Sequence, residues 1–204
     1  MSEIYALSDD VLTPPQTIFS QIDEILRCGV KLVQYRSKLT VRDEALIRSL
    51  IGLCEDYGAK LIINDDAALA KRLGAHGVHI GECDGETAQV REFLGADKII
   101  GVSCYADLAR AQKAEAQGAS YVAFGSLRCG KTKPDAPLCP DTLVQEARKS
   151  LNLPIAVIGG INLENLNEIL ALKPDYIAMV EAIYRPASIT QNLANLKEKM
   201  DEYI

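Results

Sequence analysis

The chain has 204 residues, 48% of them hydrophobic and 25% charged, with a formal net charge of −6. That acidic balance, with 5% aromatic residues and no tryptophan, argues against nucleic acid as a partner, since phosphate backbones need a basic surface and unpaired bases an aromatic platform. No apolar run nears the roughly 18 residues that span a bilayer, and MSEIYALSDD lacks a basic and then apolar leader, so no membrane partner and a cytoplasmic location are expected.

Short runs rich in β-branched residues recur along the chain. They are IYAL from Ile4, KLVQYR from Lys31, KLIIN from Lys60, GVHI from Gly77, IIGVS from Ile99, YVAFG from Tyr121, IAVIG from Ile155 and DYIAM from Asp175. Stretches of helical periodicity separate them. Residues 40–57 place Val41, Ala45, Ile47, Leu50, Ile51 and Cys54 along one stripe. Residues 106–117 are Ala-rich and stop at Gly118, while 138–150 and 187–203 read as helices too. Strand then helix, eight times over, predicts an α/β chain folded as a single-domain (β/α)8 TIM barrel over residues 1–204. An open doubly wound sheet competes, but no GxGxxG follows the first strand. The one long connection, GSLRCGKTKPDAPLC at residues 125–139, is expected to form a lid over the barrel mouth. The six cysteines (Cys28, Cys54, Cys83, Cys104, Cys129, Cys139) contain no CxxC pair and are expected to be free thiols. Cys83, Cys104 and Cys129 fall in neighbouring segments, without the spacing of a thiolate metal site.

In such a barrel the chemistry gathers at the carboxyl ends of the strands. Gln34, Arg36 and Lys38 alternate at the end of the second strand, so all three take its inward face while Val33 and Tyr35 turn to the helices. The third strand ends in Asn64, Asp65 and Asp66, the fourth leads past His79 to Glu82 and Asp84, and the fifth ends at Ser103. The seventh ends in Gly159 and Gly160, the eighth in Val180 and Glu181, and the long connection carries Thr132 and Lys133. Arg36, Lys38, Arg128, Lys131 and Lys133 would focus a positive field on a small anion. Asp65 and Asp84 could hold one Mg2+ ion, which leaves coordination positions for water and substrate phosphate. The glycine pair would let backbone N–H groups approach a second phosphate. Two phosphorylated substrates are thus expected, one carrying a diphosphate leaving group. Plainer readings compete: Asp66 as the cap of the next helix, His79 as a packed and hydrogen-bonded core residue, His76 as a loop residue, the glycines as packing devices, and Arg128 and Lys131 as solvated charges.

QYRSK at residues 34–38, IINDD at 62–66, GVHIGECD at 77–84, GVS at 101–103, TKP at 132–134, VIGGI at 157–161 and VEAI at 180–183 together resemble the motifs of the thiamine-phosphate synthase family. The resemblance runs through nearly the whole chain, in order. It implies a (β/α)8 barrel that joins a hydroxymethylpyrimidine diphosphate to a thiazole phosphate, releasing diphosphate and forming thiamine monophosphate through a dissociative pyrimidine carbocation. It further implies that Gln34, Arg36, Lys38 and Asn64 hold the pyrimidine diphosphate, that Asp65 and Asp84 hold Mg2+, and that Ser103 contacts the pyrimidine. Lys133 would act on the diphosphate, and Gly130, Thr132, Gly160, Val180 and Glu181 would receive the thiazole phosphate. The catalytic roles fall on Lys133, Arg36 and Ser103. Two positions depart from the family pattern: Gly130 stands where many members carry Thr or Ser, and Glu181 where many carry Ser. A thiazole tautomerase and a non-catalytic thiazole-phosphate-binding barrel are the alternatives. The tautomerase would not need Asp65, Asp84 and the Gln34, Arg36, Lys38 triplet together, and the binding barrel is supported only by Gly130 and Glu181. A homo-oligomer is compatible with all three.

Overall fold

The computed structural model describes residues 2–129 and 137–203. Eight parallel strands close into a barrel in sequence order: β1 (Glu3–Leu7), β2 (Leu32–Tyr35), β3 (Lys60–Asn64), β4 (Gly77–Ile80), β5 (Ile99–Tyr105), β6 (Tyr121–Phe124), β7 (Ile155–Ile158) and β8 (Tyr176–Met179). Closure is direct: β1 pairs with β8, Tyr5 opposite Ala178, as it pairs with β2 on its other side, Tyr5 opposite Leu32. The connections hold α1 (Ile18–Arg27), α2 (Glu44–Asp56), α3 (Ala67–Leu73), α4 (Thr87–Leu94), α5 (Leu108–Ala116), α6 (Asp141–Ser150), α7 (Leu166–Ala171), the short α8 (Glu181–Tyr184) and α9 (Ile189–Glu202). None of the described helices is long and apolar enough to cross a membrane.

The period-2 alternation of the strands sorts the core into two parts. Val33, Leu61, Ile63, Val78, Ile100, Val122, Val157 and Ile177 face outward and meet the buried sides of the helices. Tyr5, Leu7, Leu32, Ile62, Tyr121, Ala123, Ala156 and Ala178 fill the interior. The interior mixes large rings with small residues. Tyr121 fits because its neighbour on β5 is Gly101, where an added Cβ would lie 2.0 Å from the ring.

Every strand appears where the sequence places it, with ends shifted by a residue or two. The helix expected at 40–57 starts later, at Glu44, because the Asp43 carboxylate caps its first turn by accepting from Leu46 N–H at 3.0 Å. Val41 lies before that cap at 84% exposure, and Ala45 is exposed as well. The buried stripe is therefore only Ile47, Leu50, Ile51 and Cys54. The expected lid is described only for residues 125–129 and 137–139; Gly130, Lys131, Thr132 and Lys133 lie outside the described residues.

Candidate active site

The carboxyl ends of the strands surround a cavity of about 1750 Å³. Gln34, Arg36, Lys38, Asn64, Asp65, Asp84, Ser103, Gly160, Val180 and Glu181 all line it. The structure thus brings these described residues together at one cavity.

Strand alternation carries Gln34 inward from β2, where its amide Nε2 donates to the Tyr5 hydroxyl at 2.8 Å. Arg36 follows two residues on, its guanidinium 3.9 Å from Asp9 at the end of β1, and its own N–H donates to Ser8 Oγ at 2.7 Å. Lys38 reaches across to β3 and pairs with Asp65.

The turn from β3 into α3 separates two carboxylates that are adjacent in sequence. Asp66 caps α3, accepting from Leu69 N–H at 2.8 Å, and also pairs with Arg42 at 3.0 Å. Asp65 takes a left-handed conformation, φ 66°, and its N–H donates to the His79 carbonyl at 2.8 Å. That sharp turn leaves the Asp65 side chain at the cavity, not on the helix. The Asp84 carboxylate is held from the other side by the Gly81 N–H at 2.7 Å. The two carboxylates interact side chain to side chain. Burial alone would raise the Asp65 carboxyl, but the Lys38 ammonium outweighs it and holds Asp65 below its ordinary range. Asp84, on which the Lys38 ammonium acts more weakly, is raised by burial and by the Asp65 charge, against the Gly81 hydrogen bond. Among the described residues the pair is thus a site of concentrated negative charge with the Lys38 ammonium beside it.

Ser103 on β5 holds its Oγ 2.8 Å from His79 Nε2. The other imidazole nitrogen, Nδ1, is 2.8 Å from the Tyr121 hydroxyl, which lies 2.8 Å from that of Tyr5. His79 is buried, and this burial pushes its pKa down to about 4, so near neutrality the ring is uncharged. It is the packed, hydrogen-bonded core residue that its inward strand position implies, and it also lines the cavity.

At the opposite side of the mouth Gly159 and Gly160 follow β7 with φ 110° and 58°. A Cβ on Gly160 would lie 2.6 Å from the Cys129 carbonyl, and one on Gly159 would lie 2.0 Å from Ser126 Oγ. The pair is thus required by the close passage of residues 126–129, whatever else approaches it. Val180 and Glu181 begin α8 at the same edge.

Three expectations are corrected. Arg128 does not add its charge to the mouth: its guanidinium forks onto Asp141 at 2.8 and 2.9 Å and reaches Glu168 at 3.0 Å, on α6 and α7. A planar fork satisfied by two carboxylates is a structural clamp. His76 is more than a bland loop residue, since its Nδ1 accepts from the Leu61 N–H at 3.1 Å. Cys104 is buried among the outward-facing core residues, away from the exposed Cys83 and Cys129. The described residues contain no group of three or more His, Cys, Asp or Glu that could hold a metal, so a thiolate site finds no support among them. Tyr5 and Tyr121 also belong to this network, outside the motifs singled out in the sequence. Their signal was present: tyrosines at inward strand positions must carry a hydroxyl into the barrel, where it needs a partner.

Residues 4–183 match the model of the family described as thiamine monophosphate synthase. The thiamine-phosphate synthase of Thioalkalivibrio sulfidiphilus is 42% identical over 183 residues, covering 89% of this chain and 87% of that one. That of Nitrosococcus oceani is 43% identical over 188 residues, covering 91% and 87%. Among solved structures, the thiamine phosphate pyrophosphorylase from Pyrococcus furiosus superposes with a TM-score of 0.88 at 27% identity, covering 99% of this chain and 96% of that one.

Proposed function

The chain belongs to the thiamine monophosphate synthase family and is an enzyme of thiamine phosphate synthesis, and on that premise we propose how its cavity performs the reaction. A pyrimidine carrying a methylene diphosphate binds at the β2 to β5 side. A thiazole phosphate binds at the β7 and β8 side. The carbon–oxygen bond to the diphosphate breaks first, and the electron pair leaves with the diphosphate. The aminopyrimidine stabilises the resulting carbocation, and the thiazole nitrogen captures it to give thiamine monophosphate.

The observation that carries this reading is the meeting of Asp65 and Asp84 beside Lys38 and Arg36 on one wall of the cavity. The donor set fits a hard divalent cation: two carboxylates in side-chain contact at the cavity wall, both offering hard oxygen donors. Asp65 and Asp84 would hold Mg2+, which when bound would neutralise charge on the diphosphate. Arg36 and Lys38 bind the same group and Asn64 orients it. Gln34 and Ser103 hold the ring from two sides. Backbone N–H groups at Gly160, Val180 and Glu181 receive the thiazole phosphate. Outside the described residues, Lys133 acts on the departing diphosphate and Thr132 on the thiazole phosphate, while Gly130, which departs from the family pattern, offers that phosphate only its backbone N–H. Such a reaction needs charge neutralisation and exclusion of water, not a strong base. The neutral, buried His79 agrees with that.

A tautomerase or a carrier of thiazole phosphate would have no use for the carboxylates and cations gathered on the pyrimidine side. The partners are accordingly two small phosphorylated molecules, with no nucleic acid or membrane. The six free cysteines support a reducing, cytoplasmic setting. Incubating the purified chain with both substrates and Mg2+ tests the reading. It predicts thiamine monophosphate and diphosphate in equal amounts; absence of both products would remove it.

A further inference from the structure

A continuous hydrogen-bonded chain crosses the barrel interior at the floor of the cavity. It runs from Gln34 through Tyr5, Tyr121 and His79 to Ser103, every link at 2.8 Å. Its two ends are residues assigned above to the pyrimidine, and its three middle members were assigned no role. Tyr5 and Tyr121 are 1% and 2% exposed, so water cannot stand in for a missing partner.

Three of the four links permit either direction, because two hydroxyls, or a hydroxyl and an imidazole, can each donate or accept. The first link does not. An amide nitrogen only donates, so Tyr5 accepts from Gln34. The Tyr5 proton then has one place to go, the Tyr121 oxygen; otherwise a buried O–H is orphaned, at a cost folded proteins avoid. The Tyr121 proton passes in the same sense to His79 Nδ1. A neutral imidazole that accepts at Nδ1 carries its proton on Nε2, which donates to Ser103 Oγ. Two groups at the ends are then left for the cavity. Ser103 keeps its own O–H as a donor. Gln34, which lines the cavity, keeps Oε1 as an acceptor, with no hydrogen bond to it from a described group.

We propose that Tyr5, Tyr121 and His79 are positioning residues that impose one hydrogen-bond direction on this chain, so that the cavity presents an acceptor at Gln34 and a donor at Ser103 and thereby selects a 4-aminopyrimidine over its 4-oxo counterpart. The amino compound offers N–H donors from the exocyclic nitrogen and a lone pair on the ring nitrogen beside it. The oxo compound in its lactam form offers the reverse, a carbonyl lone pair and a ring N–H, and meets acceptor with acceptor and donor with donor. A site built to hydrogen-bond one pattern rejects the inverted one strongly, because the mismatched groups lose their partners. The inference deepens the proposed function and rests on its placement of the pyrimidine.

Two measurements test it. Nitrogen-15 NMR of the ligand-free protein at pH 7.5, with the two histidines told apart through a His76→Gln spectrum, reads the tautomer directly. His79 is expected as the single neutral form protonated at Nε2. Protonation at Nδ1, or a mixture, would overturn the proposal. Calorimetric titration with the pyrimidine diphosphate and its 4-oxo analogue reads the selection without involving chemistry. The wild type is expected to prefer the amino compound by about a hundredfold. Tyr121→Phe and Tyr5→Phe, which keep the rings and remove a link, are each expected to reduce that preference to below tenfold while the Kd for thiazole phosphate stays within twofold. A merely structural role would shift both ligands together or neither. Full preference retained in a folded variant of either tyrosine contradicts the inference, and if Tyr121→Phe does not fold, Tyr5→Phe decides. Should tautomer and preference behave as stated while no thiamine monophosphate is formed, the proposed reaction falls and the hydrogen-bond direction stands.

Discussion

The ammonium of Lys38, at the end of β2, is ion-paired with the carboxylate of Asp65, at the end of β3. Asp84 approaches the same carboxylate from the end of β4. One cation is thus shared unequally between two acids, and Asp65 is depressed while Asp84 is raised. This asymmetry shapes what substitution at each position does.

Asp65→Asn and Asp84→Asn each remove one oxygen charge from the proposed Mg2+ site. Each is expected to lower kcat/KM for the pyrimidine diphosphate at least tenfold, with partial recovery at high Mg2+. Steady-state kinetics over a Mg2+ series checks this. Full activity in either variant would count against the metal assignment.

Lys38→Met separates two roles of one side chain. Opposite charges in contact near a surface attract by about 4 kcal/mol before solvent and entropy costs reduce it. Without the ammonium, Asp65 is released to a metal, and Mg2+ should bind the ligand-free variant at least threefold more tightly by calorimetry. The KM for the pyrimidine diphosphate should rise at least fivefold, since a diphosphate contact is lost. Weaker Mg2+ binding in the variant would show that Lys38 does not compete for Asp65.

His79 predicts a pH dependence of stability. Its folded pKa of about 4 lies below the ordinary value of 6.5 because burial penalises the charged ring. Between those values the unfolded chain binds the proton that the folded chain refuses, so stability rises with pH there. The contribution is complete above pH 6.5 and is lost as pH falls toward 4, by roughly 3 kcal/mol if the whole shift is realised. Urea denaturation of wild type and His79→Gln across that window isolates it from the carboxylates, which both proteins share. Parallel curves would contradict the assignment.

Gly160→Ala places a Cβ 2.6 Å from the Cys129 carbonyl at a left-handed φ of 58°. The variant should lose about 1–3 kcal/mol of stability. It should also bind thiazole phosphate at least fivefold more weakly, because residues 126–129 and the loop after β7 can no longer pass at this distance. Thermal denaturation and calorimetry check the two effects. An unchanged Tm would show that the backbone gives way without cost.

Much of this architecture was legible because it rests on local rules. Alternation on β2 placed Gln34 and Arg36 inward whatever the rest of the chain did, and the closeness of Asp65 and Asp84 follows from β3 and β4 being neighbours. Asp66 could be read as a cap from its place before a helical run. Pairings that depend on closure of the barrel could not be read in this way. Tyr5 and Tyr121 are 116 residues apart, and their hydroxyls meet only because β1 and β6 face each other across the interior. Arg128 was misplaced for a related reason: its sequence neighbours are at the mouth, while the carboxylates of Asp141 and Glu168 that hold it lie on the outer helices. Val41 matched the helical period, but the Asp43 cap starts the helix beyond it, a choice made by one side-chain hydrogen bond. Of the residues proposed for the thiazole phosphate, Gly130 and Thr132 lie outside the described residues, while Gly160, Val180 and Glu181 line the cavity.

The central claim is that two aspartates and magnesium jointly hold a diphosphate. Calorimetric titration of inorganic diphosphate into the wild type and into the Asp65→Asn, Asp84→Asn double variant, each with and without Mg2+, addresses it most directly. Mg2+ is expected to tighten binding at least tenfold in the wild type and to have no more than a twofold effect in the double variant. An equal gain in both proteins would contradict it.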